Sequence, residues 1–242
     1  MIKFFRHIRK QLLGEGKTSK YLKYAIGEII LVVIGILIAL SINNWNETRK
    51  EQASELDYLI GIKDDLENDV PRIENRINGV LRKISYLHKI DPTFIPGRNI
   101  EPHDIISLDS INIDYMFNRG PIFRLNSITY KTLTSNASAG LIKNKQLLPA
   151  IQNLYDVREP ATSSVYDDLK RREEYVGWKY AEEVKNLNLQ EFFIDNPNKK
   201  EVLADFAFYY KQQALMCRHL LNVKDIMLNI IDNINTEVNN RR

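Results

Sequence analysis

One cysteine, Cys217, stands in 242 residues. An intrachain disulfide is thereby excluded, and neither a thiolate zinc site nor a redox pair can be assembled from cysteine alone. In its apolar surroundings Cys217 reads as a small buried residue on a helix. Glycine and proline are also scarce, at ten and eight residues, which excludes low-complexity chains. Strand-type alternation of apolar and polar residues is missing too. Metalloprotease, nucleophile-elbow, dinucleotide and phosphate-loop motifs are absent. Gly14-Glu15-Gly16-Lys17-Thr18 imitates the end of a phosphate loop, but Gln11 occupies the position of its first glycine and no strand precedes it. The sequence names no catalytic residue, no cofactor and no metal ligand set, and the reading is of a protein that is not an enzyme.

Charge of one sign is scarce in the bulk of the chain. The net charge of +3 comes from residues 1–42, where seven Lys/Arg face only Glu15 and Glu28, and the remainder carries 27 basic and 29 acidic residues. A nucleic-acid binder carries a basic face on its folded domain, so this balance argues against nucleic acid as a partner.

Ile29 to Ile42 is a run of fourteen residues without a charge. Extended back through Glu28 to Tyr24 it reaches nineteen, close to the roughly 20 that a membrane-spanning helix needs. Lys17, Lys20 and Lys23 precede it and Trp45 follows, the residue types that anchor a span at its two interfaces. Residues 43–62 hold only Arg49 and Lys50 against the seven basic residues before the span. The positive-inside rule then puts the N-terminus in the cytoplasm and the rest outside the cytoplasmic (inner) membrane. The competing reading is a cleaved signal peptide, because Ala39-Leu40-Ser41 fits a small-x-small site.

Within the span, Glu28, Val32, Gly35 and Ala39 fall at three- and four-residue steps, and Gly35-x-x-x-Ala39 permits close helix approach. This face is expected to meet a partner helix, with Glu28 either bonding a neighbour or hydrated at headgroup depth. Before the span, Met1, Phe5, Ile8 and Leu12 repeat among Lys3, Arg6, Arg9 and Lys10, predicting a basic amphipathic helix on membrane lipid.

Beyond the span, Leu56, Leu59, Leu66, Val70, Ile73, Ile77, Val80, Ile84 and Leu87 form a helical stripe. Pro71 within it predicts a kink or a new helix with Asp69 near its cap. Residues 91–124 are punctuated by proline and glycine and are the first candidate for a ligand surface. Helical pattern returns at 127–136, 141–158 and, after Pro160, 163–187, with 186–200 read as a polar turn region. Phe206, Tyr209, Gln213, Met216, Leu220, Val223, Met227, Ile230 and Ile234 then predict one helix of 35 to 40 residues.

The remaining groupings are weak. Asp64, Asp65 and Asp69 read as a solvated face. Cys217 and His219 point to different sides of a helix, and His88 and His103 could approach a metal only through folding that the sequence does not reveal. The 171–180 stretch, rich in Arg, Glu, Tyr and Trp, has ligand-binding residue types, but Leu169, Val176 and Tyr180 at helical steps favour a core edge. Asn46-Glu-Thr48 and Asn136-Ala-Ser138 match glycan acceptors that matter only in a eukaryotic secretory pathway.

Met1-Ile-Lys-Phe-Phe-Arg6, Tyr24-Ala-Ile-Gly-Glu28, Leu31 to Leu40 and Ile42-Asn-Asn-Trp-Asn-Glu47 resemble an uncharacterised single-span family of Bacteroidetes-type bacteria, a domain of unknown function. Tyr130, Leu133 and Gly140-Leu-Ile-Lys-Asn-Lys145 are similar to a second stretch of that family. Ser41 departs from the glutamine expected there. The resemblance implies a Gram-negative cell and a periplasmic domain, and it brings no catalytic residue with it.

The expected fold is all-α: a transmembrane helix at 24–42, a cytoplasmic basic segment at 1–23, and a periplasmic helical bundle at 43–242 with two long coiled-coil-like helices. The expected role is interaction or assembly, as a homo-oligomer or with an envelope protein, through the span and the helical stripes. The alternatives are a periplasmic ligand-sensing module and a secreted helical protein released by cleavage.

Overall fold

The structure, a computed structural model, describes residues 18–95, 113–117 and 122–241. Helix accounts for 86% and no strand occurs among the described residues. The amphipathic pattern expected at 1–17, and most of the 91–124 segment, lie outside them. The first helix, α1, is Thr18–Ile90. The chain divides into two compact units, Met1–Ser54 and Glu55–Arg242.

In the first unit every large apolar side chain from Ile26 to Ile42 is exposed. An apolar surface on all sides of a helix belongs to a core or to lipid, and none of this stretch is buried by the protein itself. It is the one helix among the described residues long and apolar enough to cross a membrane. Just beyond it, the Arg49 guanidinium lies 5.8 Å from the Trp45 ring centre, and Asn43 donates to Glu47 at 3.2 Å.

The second unit continues with α2 (Ile113–Phe117), α3 (Ile128–Ser135), a 3-10 turn (Ser138–Leu141) and α4 (Leu147–Gln152). A π turn (Asn153–Arg158) leads into α5 (Glu159–Lys179), followed by α6 (Ala181–Asn186), α7 (Leu189–Phe193) and α8 (Lys199–Asn239). At 41 residues, α8 matches its expected length, and all nine residues of its stripe are buried. Leu59, Leu66, Ile73, Ile77, Val80, Ile84 and Leu87 of α1 enter the same core.

Polar contacts show how these helices lie in the second unit. Glu55 bonds Arg241 at 2.7 Å and Glu74 bonds Lys224 at 2.6 Å. Numbers fall along α8 as they rise along α1, so the two run antiparallel. Glu55, only 1% exposed, also accepts from the Lys143 backbone N–H at 2.7 Å, so it is satisfied by two distant segments.

Three sequence expectations change. Helix α1 continues through Pro71, so of the two expectations there, a kink or a new helix, the new helix does not form. An interior proline costs about 3 kcal/mol, and the fully buried Leu66 and Ile73 on either side offset that cost. Pro160 sits in the first turn of α5, where a missing N–H is tolerated, so helix begins before it and not after. The polar 186–200 stretch contains α7, started by a capping box between Asn188 and Glu191 that carries Phe192 and Phe193 into the core. There, both rings meet Phe206 edge-on at centroid distances of 5.7 and 4.9 Å.

The acidic group on α1 holds α3. Asp65 accepts from Asn126 Nδ2 at 2.7 Å and from the Thr129 backbone N–H at 3.2 Å, and Asp69 accepts from the Asn126 backbone N–H at 2.6 Å. Asp64 is exposed as expected, whereas Asp69 is 1% exposed and also pairs with Arg72. These carboxylates satisfy backbone donors that α3 cannot satisfy internally. Gly61 lies under the same segment, and a Cβ there would stand 2.9 Å from Thr129 Cγ2. Gly61→Leu should therefore lower stability by about 1–3 kcal/mol through overpacking. Gly79→Ala, with open space at its Cβ, should raise it by roughly 0.5–1 kcal/mol. Urea denaturation of the two variants checks both signs.

Candidate functional site

Two surfaces are candidates. On α1, Glu28 and Val32 line a shallow groove of about 350 Å3 with Ala25, Ile29 and Val33. Gly35 has open space where its Cβ would be, and Ala39 is exposed. The expected partner face thus brings Glu28 and Val32 together in a groove, with Gly35 and Ala39 farther along the helix.

The second surface is a cleft of about 360 Å3 between α5 and α8. Arg171, Arg172 and Tyr175 of α5 form one wall, Asp205 and Phe208 of α8 the other, and Val176 and Tyr209 the floor. Leu169, Val176 and Tyr180 are buried, which is the core edge the spacing predicted. The other side of the same helix is what sequence reasoning undervalued. Tyr175, Trp178 and Phe208 are exposed, with Trp178 at 84%. The Arg172 guanidinium rests 4.8 Å from the Phe208 ring centre. That contact joins two helices and has no signal in either stretch alone.

Charges around the cleft are mostly settled. Arg171 pairs with Asp168. Asp205 accepts from Lys179 at 2.6 Å and from the Tyr180 hydroxyl at 2.8 Å. Burial, and then the bond to Asp205, hold the Tyr180 phenol well above its ordinary range.

Beneath the floor lies a buried polar network. Tyr209 donates to Glu173 at 2.6 Å and accepts from Gln213 Nε2 at 2.7 Å. Tyr210 donates to the Met116 carbonyl at 3.0 Å. Burial raises both phenols well above their ordinary values. Lys83 and Arg76 of α1, 4% and 8% exposed, share this interior, with the Lys83 ammonium 5.5 Å from the Tyr115 ring centre. Burial lowers Lys83 to about 8, against the upward pull of Glu173. Arg76 Nε and Gln213 Oε1 make no hydrogen bond within the protein. Such a network fixes side chains at the floor of the cleft more tightly than apolar packing would.

The other expected sites resolve as follows. The α8 stripe is buried, as is the α1 stripe apart from the partly exposed Leu56 and Val70, so both build the core of the domain. Cys217 is buried, and burial pushes its thiol up to about 11. His88 donates from Nδ1 to the Phe94 carbonyl at 2.9 Å, while His103 lies outside the described residues. Among the described residues no group of three metal-ligating side chains occurs.

Residues 28–172 match the model of a family of unknown function, DUF6090, which spans most of the apolar run, the α1 stripe and the elements up to Arg172 in α5. No curated protein and no solved structure matches the chain.

The buried lysine sets a pH dependence. Folded Lys83 loses its proton near pH 8 and the unfolded chain near 10.5, so between these values the unfolded state holds more protons and stability rises with pH. The stability of the wild type minus that of Lys83→Met should therefore grow by roughly 2 kcal/mol from pH 8 to pH 10, measured by urea denaturation. Parallel curves would contradict the assigned burial. Cys217 should in turn resist a soluble thiol reagent at pH 8 until denaturant is added.

Proposed function

The chain belongs to the DUF6090 family, and we propose that it is a membrane-anchored helical interaction protein of the bacterial envelope. The apolar run at 24–42 crosses the cytoplasmic membrane, residues 1–23 stay in the cytoplasm against membrane lipid, and the helical domain occupies the periplasm. The observation that carries the reading is the apolar surface from Ile26 to Ile42, exposed on all sides of the helix. Soluble monomers rarely expose a patch of that extent. The excess of basic residues before the run supports the orientation, and helix continuing through Ser41 supports an anchor over a cleaved signal. The two long helices are read as coiled-coil-like, with their stripes used internally.

With the stripes largely buried, the most extensive exposed apolar surface available to a homo-oligomer or an envelope partner is the span. Small residues at Gly35 and Ala39 let a second helix approach closely, and Glu28 offers it a polar contact. A Cβ at Gly35 has nothing within 4 Å, so Gly35→Leu should leave the thermal melting of the domain unchanged. It should also abolish co-purification of differently tagged copies or of an envelope partner from cross-linked membranes. Unchanged association would remove the span as the assembly surface. A ligand-sensing role is the second reading, favoured by the α5–α8 cleft.

A further inference from the structure

We infer that the α5–α8 cleft is a binding site for a small monoanion with a planar apolar body, such as an aromatic carboxylate. The inference does not depend on the membrane reading. It rests on a charge left over after every other ionic group of the cleft has been paired. Arg171 is held by Asp168, and Asp205 is held by Lys179 and Tyr180. Glu173, just beneath, takes the Tyr209 hydroxyl. Arg172 alone has no carboxylate within ion-pair distance among the described residues.

The Arg172 side chain is nonetheless placed. Its guanidinium lies against the Phe208 ring at 4.8 Å, which restrains a long side chain that would otherwise lose rotamer freedom on binding. A guanidinium presents five N–H donors in a planar fork that matches the two oxygens of a carboxylate. With the guanidinium against Phe208, its N–H donors remain for a ligand. Beside the already paired Asp168, Arg171 and Asp205, the cleft offers an apolar and aromatic surface: Val176 and Tyr209 below, Tyr175 and Phe208 at the sides. A body that stacks there while its anionic end meets Arg172 satisfies both halves of the site.

Size narrows the class. A volume of about 360 Å3 sits near the lower end of small-molecule pockets, which run from about 300 to 1,000 Å3. One or two fused rings fit, and a large dianion would meet Asp168 and Asp205 without a second free cation. The buried Glu173–Tyr209–Gln213 chain fixes the floor, so the cleft is formed before the ligand arrives.

The test uses the full chain in lipid nanodiscs, titrated calorimetrically with 2-naphthoate and with the neutral isostere 2-naphthamide, empty nanodiscs being subtracted. Saturable binding of the acid, with the amide weaker by about tenfold, is expected. Arg172→Gln should erase that preference, while Arg218→Gln, an exposed position outside the cleft, keeps it. Arg172 is exposed, so the variant should fold, and its circular dichroism confirms that. Equal binding of acid and amide, a preference that survives Arg172→Gln, or no saturable binding below about 10 mM would each overturn the assignment.

Discussion

Two apolar stripes that cannot both face water hold the domain together. One lies along α1 from Leu59 to Leu87, the other along α8 from Phe206 to Ile234, and both end in a single core. Their helices are distant in sequence, so closing them on each other orders everything between. The polar groups carried inward by that closure have to be met, because an unpaired buried charge costs several kcal/mol. Glu55 is met by Arg241 and the Lys143 backbone, Asp69 by the Asn126 backbone, and Glu173 by Tyr209. These bonds also select one antiparallel register, since a shift of either helix by a turn would leave carboxylates without partners.

The stripe of α8 was legible because its period is regular and every position in it is apolar, aromatic or, at Gln213, hydrogen-bonded inside. The apolar run of α1 was legible for a simpler reason, its length. Local signals misled where tertiary burial outweighed them. Pro71 read as a kink or a new helix and Pro160 as a boundary, yet helix continues through the first, between two buried residues, and the second lies in a first turn. The polar residues around Phe192 and Phe193 hid a five-residue helix whose capping box was present in the sequence as Asn188 and Glu191. Asp65 and Asp69 looked solvated because their partners lie about 60 residues away.

The cleft was half legible. Spacing on α5 put Leu169, Val176 and Tyr180 inward, and the structure agrees. What it could not disclose is that Phe208 comes across from α8 to cover Arg172, nor that the neighbouring acids are already engaged. A chemical site made by two helices depends on their register, and the register of α5 on α8 depends on long-range pairs such as Tyr209 with Glu173.

The proposed account joins these parts: a helix whose exposed apolar surface suits lipid and a partner helix, and a helical domain that buries most of its two apolar stripes in its own core. The measurement that reaches the central claim most directly is a pair of fusions after Arg242, to alkaline phosphatase and to a cytoplasm-restricted fluorescent protein, with membrane fractionation and an immunoblot for size. The account predicts phosphatase activity in a full-length, membrane-bound product. Fluorescence would contradict the orientation, and a soluble product shortened by the residues up to Ser41 would contradict the anchor itself.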